Sequence, residues 1–487
     1  MLFNSYTFIL VFLPLVLIGY YALGCAKKHQ AVKYFLIIAS LVFYAYNNIY
    51  YLSMICASLS VNYLFSLALL KYRDRKHAKR LLFVAAMAAN LGLLFYFKYF
   101  DFLLMNLNMI LGQSFDYLNF MLPLGISFYT FQQISYIADV YGGRAPKYSF
   151  SDYALFITFF PQLIAGPIVL HSEMIPQFQS EETYKFNTVN FAEGIYDFSI
   201  GLAKKVMIAD RMNLVVDAGY SMVGNLSTFE AWLVMFCYTF QIYFDFSGYC
   251  DMATGIAKMF NIKLPMNFNS PYKSKSIAEF WQRWHITLGR FLKCYIYIPL
   301  GGSRKGKART YVNLMLTFLA SGLWHGANWT FILWGAFHGL LSCIHRMIHN
   351  KIDRLFAPLH VAATFLAVNI AWVMFRAGSV SQGLRFIKRL FTWNGIALSH
   401  RISEHLHIVG STTLSIMLLP FPVNQYVVYF IESIIWVVLI MLLIFCTKNI
   451  YEQTDKLTLK RALLSVLCLI SSMLSFTNVT VFLYYNF

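Results

Sequence analysis

Apolar runs long enough to cross a lipid bilayer recur along the whole of this chain, and they limit its fold more than any other feature. A spanning helix needs about 20 mostly apolar residues, and roughly ten to twelve stretches meet that criterion. Of 487 residues 59% are hydrophobic and only 12% charged, more apolar surface than a soluble protein hides. The expected fold is therefore all-α: a polytopic transmembrane helical protein with a single integral membrane domain from 1 to 487. Tandem repeats, low-complexity tracts and a soluble second domain are all absent from the sequence. The first run, 6–24, lacks a basic leader and a small-residue cleavage site, so it reads as a retained span and not a secretory signal.

Lys and Arg outnumber Asp and Glu by 39 to 21, a formal charge of +18. The excess sits in short loops between apolar runs, as the positive-inside rule expects of cytoplasmic loops. No aromatic-basic recognition module accompanies it, so nucleic acid is not an expected partner. Basic loops at 26–33 and 71–80 bracket 34–70, which reads as two short antiparallel helices around Asn47 and Asn48, with the amino terminus outside. Runs at 81–97 and 102–111 follow, and Lys98 and Asp101 between them predict a break or a short, partly embedded helix. Eight scattered cysteines form no C-x-x-C pair and read as small hydrophobes.

Several runs carry backbone breakers at membrane depth. In Leu-Pro-Leu-Gly-Ile-Ser-Phe-Tyr-Thr-Phe-Gln at 122–132, Pro123 and Gly125 predict a kinked helix. Phe-Phe-Pro-Gln-Leu-Ile-Ala-Gly-Pro at 159–167 is similar. Irregular backbone there must be buried in protein or line a cavity, which points to a pore, funnel or site. A helix over 191–208 carries Glu193, Asp197, Lys204 and Lys205, and Tyr-Phe-Asp-Phe-Ser-Gly-Tyr-Cys-Asp-Met at 243–252 carries Asp245 and Asp251. Those carboxylates are costly in a membrane unless paired or facing water. A structural pairing with a nearby Lys or Arg is the commoner outcome and a catalytic role the rarer.

Ser276 and Glu279 form a capping box that predicts one helix onward, with Trp281, His285, Leu288 and Leu292 on one face. Arg283, Arg290 and Lys293 fall on its other faces, which suits an interfacial helix. After a basic patch at 304–309, a span over 311–324 ends at His325, flanked by Gly322, Gly326 and Ala327. A further span from 331 carries His338, and later ones lie near 361–374, 427–446 and 462–476, with Arg385, Lys388 and Arg389 as topology charges.

Of the twelve histidines, His29, His77, His345 and His349 sit in basic loops, and His405 and His407 form half a metal site without a spaced partner, so no metal is expected. His285 and His325 differ, because each follows a Trp inside apolar sequence. Burial disfavours the imidazolium, and a neutral ring can take the proton of a hydroxyl attacking an activated acyl group. The other reading is a core histidine satisfied by a backbone carbonyl. P-loop, H-E-x-x-H, G-x-S-x-G and dinucleotide fingerprints are all missing. Broken spans and intramembrane carboxylates also suit a transporter, but no second matching set of broken helices is present.

A set of segments in fixed order resembles the membrane-bound O-acyltransferase (MBOAT) family in its bacterial alginate O-acetylase branch. They are 122–132, 160–167, Tyr-Phe-Asp-Phe-Ser-Gly-Tyr at 243–249, Phe-Trp-Gln-Arg-Trp-His at 280–285, Tyr-Ile-Pro-Leu-Gly-Gly at 297–302 and Gly-Leu-Trp-His-Gly-Ala-Asn-Trp-Thr at 322–330. The matched core runs from about 120 to 380, and 381–487 matches weakly. The resemblance implies a ring of spans around a central tunnel, with short re-entrant or interfacial helices. It implies catalytic roles for His325 and His285, one as general base and one polarising the acyl carbonyl or positioning the donor. Trp324 and Asn328 beside the first, and Trp284 and Arg283 beside the second, are candidate substrate-binding residues. Cys250 and Ser303 depart from the pattern at positions expected to lie away from the chemistry.

The implied activity is O-acetyl transfer at the cytoplasmic membrane, with no bound cofactor. A cytosolic thioester donor, acetyl-CoA or an acylated carrier, would supply the acyl group. The acceptor would be a cell-surface polysaccharide (alginate, another exopolysaccharide or peptidoglycan) reached through an extracytoplasmic acetyl-transfer partner protein. D-alanyl transfer to teichoic acid is the alternative within the family.

Overall fold

The computed structural model describes residues 1–46, 48–352, 356–406, 425–453, 458–476 and 482–483, with the side chains of 349–352 and 425–426 outside the description. Every regular element among them is helical, and no strand occurs. Asn47, His407 and the side chain of His349 lie outside the described residues, and with them the expectations attached to those positions.

Six helices among the described residues are long and apolar enough to cross a membrane: Thr7–Cys25, Tyr50–Lys71, Lys76–Leu111, Trp329–Ile348, Ala357–Arg376 and Val427–Cys446. That is fewer than the ten to twelve expected. Part of the difference lies in the middle of the chain, where apolar sequence folds into short pieces such as Phe150–Thr158 and Phe160–Leu163. These are apolar because they are buried in protein, which a hydropathy count cannot distinguish from lipid contact.

Three expectations about helix continuity are corrected. Of the break or short helix expected at Lys98 and Asp101, the break does not form. The chain passes through a π-turn at Phe95–Tyr99 and continues to Leu111. Asp101 accepts from the Leu118 and Asn119 amides of the following loop, at 2.8 and 3.0 Å. Pro123 and Gly125 do not kink a helix but precede one. Gly125 adopts φ +71° immediately before Ile126–Tyr141. A β-carbon there would lie 2.9 Å from the Leu163 carbonyl oxygen, so glycine permits both the left-handed turn and the contact between two motif segments. The third correction, at His285, belongs to the site.

The 159–167 segment is buried irregular backbone, as its sequence required. Its freed amides find side chains on other elements: Phe160 N donates to Ser40 Oγ (3.1 Å) and Ala165 N to Tyr249 Oη (3.4 Å). Just beyond, Ile168 N donates to Thr287 Oγ1 (2.9 Å). The helix Thr188–Ala203, extended by a π-turn at Lys204–Ala209, packs along the 32-residue helix Thr228–Met259. Asp245 and Asp251 are paired across this contact, with Lys205 at 2.6 Å and Lys204 at 2.5 Å. The intramembrane carboxylates thus have the structural partners that were the commoner reading. Helix Val380–Phe391 buries Gly383, Phe386 and Leu390 and turns its basic residues outward.

Candidate functional site

The helix Lys307–His325 ends at the histidine itself, because Gly326 that follows is extended, with φ −173° and ψ 156°. His325 is 2% exposed and boxed by aromatic rings: Trp324 at 4.9 Å, Phe375 at 5.1 Å and Trp334 at 5.2 Å between centroids. Gly326 admits this box, since a β-carbon there would meet the Phe331 ring at 2.2 Å.

His285 is reached differently from the expected continuous helix. Two short helices, Ile277–Arg283 and Ile286–Leu292, meet at Trp284 and His285, and His285 itself is left-handed at φ 44°, ψ 53°. Such a conformation is unfavourable for a residue with a β-carbon and persists only where neighbours hold it. Asn267 does so. Its carbonyl accepts from Ile286 N at 3.0 Å, and its Oδ1 accepts from Thr287 N at 3.2 Å and Thr287 Oγ1 at 2.9 Å. The same Oδ1 lies 3.1 Å from His285 Nδ1. Because a backbone N–H already donates to that atom, it is the amide oxygen, so Nδ1 carries the imidazole hydrogen and Nε2 is the basic nitrogen. Sequence spacing did not single out Asn267, 18 residues upstream. Its Nδ2 donates to Cys250 Sγ at 3.3 Å, so this departure from the pattern touches the support of His285.

The capping expectation at Ser276 holds in one arm. Ser276 Oγ accepts from Glu279 N (3.2 Å), while Glu279 Oε2 reaches the Lys275 amide (2.8 Å) one residue before the cap.

Trp324 stands between the histidines, 5.9 Å from the His285 ring and stacked on Phe131 at 5.4 Å. The other candidates are engaged elsewhere. Arg283 pairs with Glu279 (2.8 Å) and donates to the Asn269 carbonyl (3.2 Å). Trp284, 1% exposed, packs on Trp372 and Phe268 at 5.0 Å each. Asn328 caps the next helix through Thr330 N (3.1 Å) and donates to the Gly378 carbonyl (3.1 Å). His338, fully buried, lies between Trp281 (4.9 Å) and Trp334 (4.8 Å) in the same aromatic cluster.

A cavity of about 600 Å³ has His285, Trp281 and Arg290 in its wall. Leu314, Thr317, Phe318 and Ser321 line it from the Lys307–His325 helix. That is one helical stripe, and His325, four residues after Ser321, continues it. An adjoining cavity of about 840 Å³ shares Trp281, Leu314, Phe318 and Arg346 and adds Lys307 and His345. A third, of about 730 Å³, is almost wholly apolar and meets the helix at Ala320, Leu323 and Trp324. The last turn before His325 is therefore flanked by a polar, basic-rimmed cavity and by an apolar one.

Such an arrangement, two buried imidazoles sharing one Trp ring with His285 in the wall of a basic-rimmed cavity, can bind an anionic acyl donor and move a hydroxyl proton out of bulk water.

Comparison with known proteins gives a concordant result. The model of MBOAT, the membrane-bound O-acyltransferase family, matches residues 4–384. The peptidoglycan O-acetyltransferase of Helicobacter pylori is 41% identical over 100% of this chain and 98% of its own length. The probable alginate O-acetylase AlgI of Pseudomonas aeruginosa is 40% identical over 86% of this chain and 81% of its own. The teichoic acid D-alanyltransferase of Bacillus subtilis is 28% identical over 51% of this chain and 65% of its own.

Proposed function

The chain belongs to the membrane-bound O-acyltransferase family, and from that premise we propose that it acetylates a cell-wall polysaccharide, peptidoglycan first, using His325 as its base. It is a multi-pass membrane O-acetyltransferase. The cytoplasmic membrane is the proposed location, since the basic inter-helix loops then face the cytosol. The observation carrying the site assignment is the burial of His325 and His285 against the same Trp324 ring, with His285 in the wall of a cavity that also carries Arg290, Lys293 and Arg346.

Acetyl-CoA is the proposed donor. Its phosphates suit the Lys307, His345 and Arg346 rim, and its thioester arm suits the narrower cavity lined by Trp281, His285 and Ser321. His285, oriented by Asn267, places the acetyl group. His325 takes the proton of the attacking hydroxyl, whose oxygen bonds to the acetyl carbon. The C–S bond breaks, and the proton passes from His325 to the departing thiolate, which returns the base to neutral. That hydroxyl belongs to the polysaccharide or to an extracytoplasmic partner that hands the acetyl group on.

Peptidoglycan is placed ahead of alginate because similarity to the peptidoglycan enzyme covers 100% of this chain, against 86% for the alginate relative from Pseudomonas aeruginosa. The test is ester-linked acetate released from purified sacculi and from exopolysaccharide of wild type, a deletion strain and His325→Ala. Acetate lost from sacculi in both altered strains, with the variant at normal membrane abundance, is the expected result. Loss of a general base costs on the order of 10²–10⁴ in rate. Unchanged sacculi with deacetylated exopolysaccharide would move the acceptor to the alginate class, and a fully active His325→Ala would refute the base.

A further inference from the structure

Lys98 lies in the π-turn of Lys76–Leu111, one of the six long apolar helices. A charge so placed is costly and is retained for a reason. Among the described residues no carboxylate stands within ion-pair distance of it: Asp101, three residues on, accepts from the Leu118 and Asn119 amides. Instead its Nζ donates to the Trp324 carbonyl at 2.5 Å and to Ser127 Oγ at 3.1 Å, and lies 5.8 Å from the centroid of the Trp324 ring. The neighbouring Tyr99 Oη donates to the Leu323 carbonyl at 2.8 Å.

Leu323 and Trp324 immediately precede His325 at the end of their helix. The last four carbonyls of a helix have no partner within it and carry the negative end of its dipole. Gly326, which follows, leaves the helix without continuing its hydrogen bonds. Lys98 and Tyr99 supply the missing donors from another span, and the ammonium adds the charge that a helix C-terminus favours. Trp324, in the wall of the apolar cavity, and His325 both hang from the backbone so held.

We propose that Lys98 is a positioning residue for His325: its ammonium caps the final turn of the histidine's helix and sets how Trp324 and His325 stand relative to the His285 ring. This rests on the reading of His325 as the base.

Lys98→Met keeps the aliphatic stem and removes charge and donors, whereas Lys98→Arg restores both. Acetyl transfer from acetyl-CoA is measured in membrane vesicles holding equal amounts of wild type, the two variants and His325→Ala. Lys98→Met lowers kcat on the order of a hundredfold, the usual cost of a small misplacement of a reacting group. KM for acetyl-CoA stays within about twofold, because the donor's phosphates bind elsewhere, and Lys98→Arg recovers most of the rate. Wild-type kcat in Lys98→Met would overturn the assignment. So would an equal loss in both variants with early thermal unfolding, the mark of a packing role. If His325→Ala is fully active, the reading beneath has failed. If His325→Ala is inactive and Lys98→Met is not, only the Lys98 step has.

Discussion

One amide oxygen, Asn267 Oδ1, receives two hydrogens from Thr287 and faces His285 Nδ1 at 3.1 Å. Asn267 is fully buried, so the groups it serves have no water to replace it. Asn267→Ala leaves the Thr287 amide and His285 Nδ1 without that acceptor, so the left-handed turn keeps only the backbone bond from Ile286 N to residue 267. We expect a cost of about 1–3 kcal/mol in detergent-solubilised thermal or denaturant unfolding. Transfer should fall by roughly 10–100-fold, the scale seen when a partner that orients a functional histidine is removed. His285→Ala should lower the rate yet leave residual transfer, since His325 keeps its own box. An unchanged rate would make His285 structural. The two histidines were legible because a Trp-His pair inside apolar sequence is unusual. Asn267 was not, because no periodicity links it to a ring 18 positions away; only the folded turn brings them together. Lys98 was read only as an interruption between two runs, because its partner is a carbonyl and carbonyls leave no trace in a sequence.

Between elements, close helix contact and buried charge are the same problem. A β-carbon on Gly201 would lie 2.6 Å from the Gly248 carbonyl oxygen, so the helices Thr188–Ala203 and Thr228–Met259 meet backbone to backbone. Lys204 and Asp251 lie at this junction and pair at 2.5 Å. Removing one partner strands the other charge in a low-dielectric interior, which costs about 3–5 kcal/mol, whereas replacing both by apolar residues is often close to neutral. Lys204→Met should therefore unfold well below wild type, and Lys204→Met with Asp251→Leu should recover most of the loss, as read by thermal melts of purified protein. A double variant as unstable as the single would show that Asp251 serves something besides Lys204. Helix type and approximate position were readable from apolar runs, and the Asp–Lys pairing from the membrane cost of charge. The π-turns at Phe95–Tyr99 and Lys204–Ala209, and the interruption at His285, were not. Each is set by a partner on a distant element, and local propensity carries no information about that partner.

Across the whole molecule, the basic patch at 304–309 and the cavity wall belong to one helix and its lead-in, and Lys307 of that patch lines the basic-rimmed cavity proposed for the donor. Lys307 begins that helix and His325 ends it, 19 residues inclusive, roughly 27 Å apart at 1.5 Å per residue. That length matches a nearly bilayer-thick path from a cationic mouth to a buried base. Two cavities that share Trp281, Phe318 and Arg346 run along the same helix. If the mouth recognises phosphates, its contribution is electrostatic, felt in donor binding and screened by salt, and absent from the chemical step at the far end. Lys307→Glu should then raise KM for acetyl-CoA about tenfold, equivalent to about 1.4 kcal/mol. The kcat should remain unchanged, and the difference from wild type should shrink as ionic strength rises from 50 to about 500 mM, where screening is several-fold stronger. A loss of kcat at unchanged KM would place Lys307 on the path of the reaction itself. A KM indifferent to both charge and salt would mean that the donor enters by another route, and the apolar cavity against Ala320, Leu323 and Trp324 would be the next to probe.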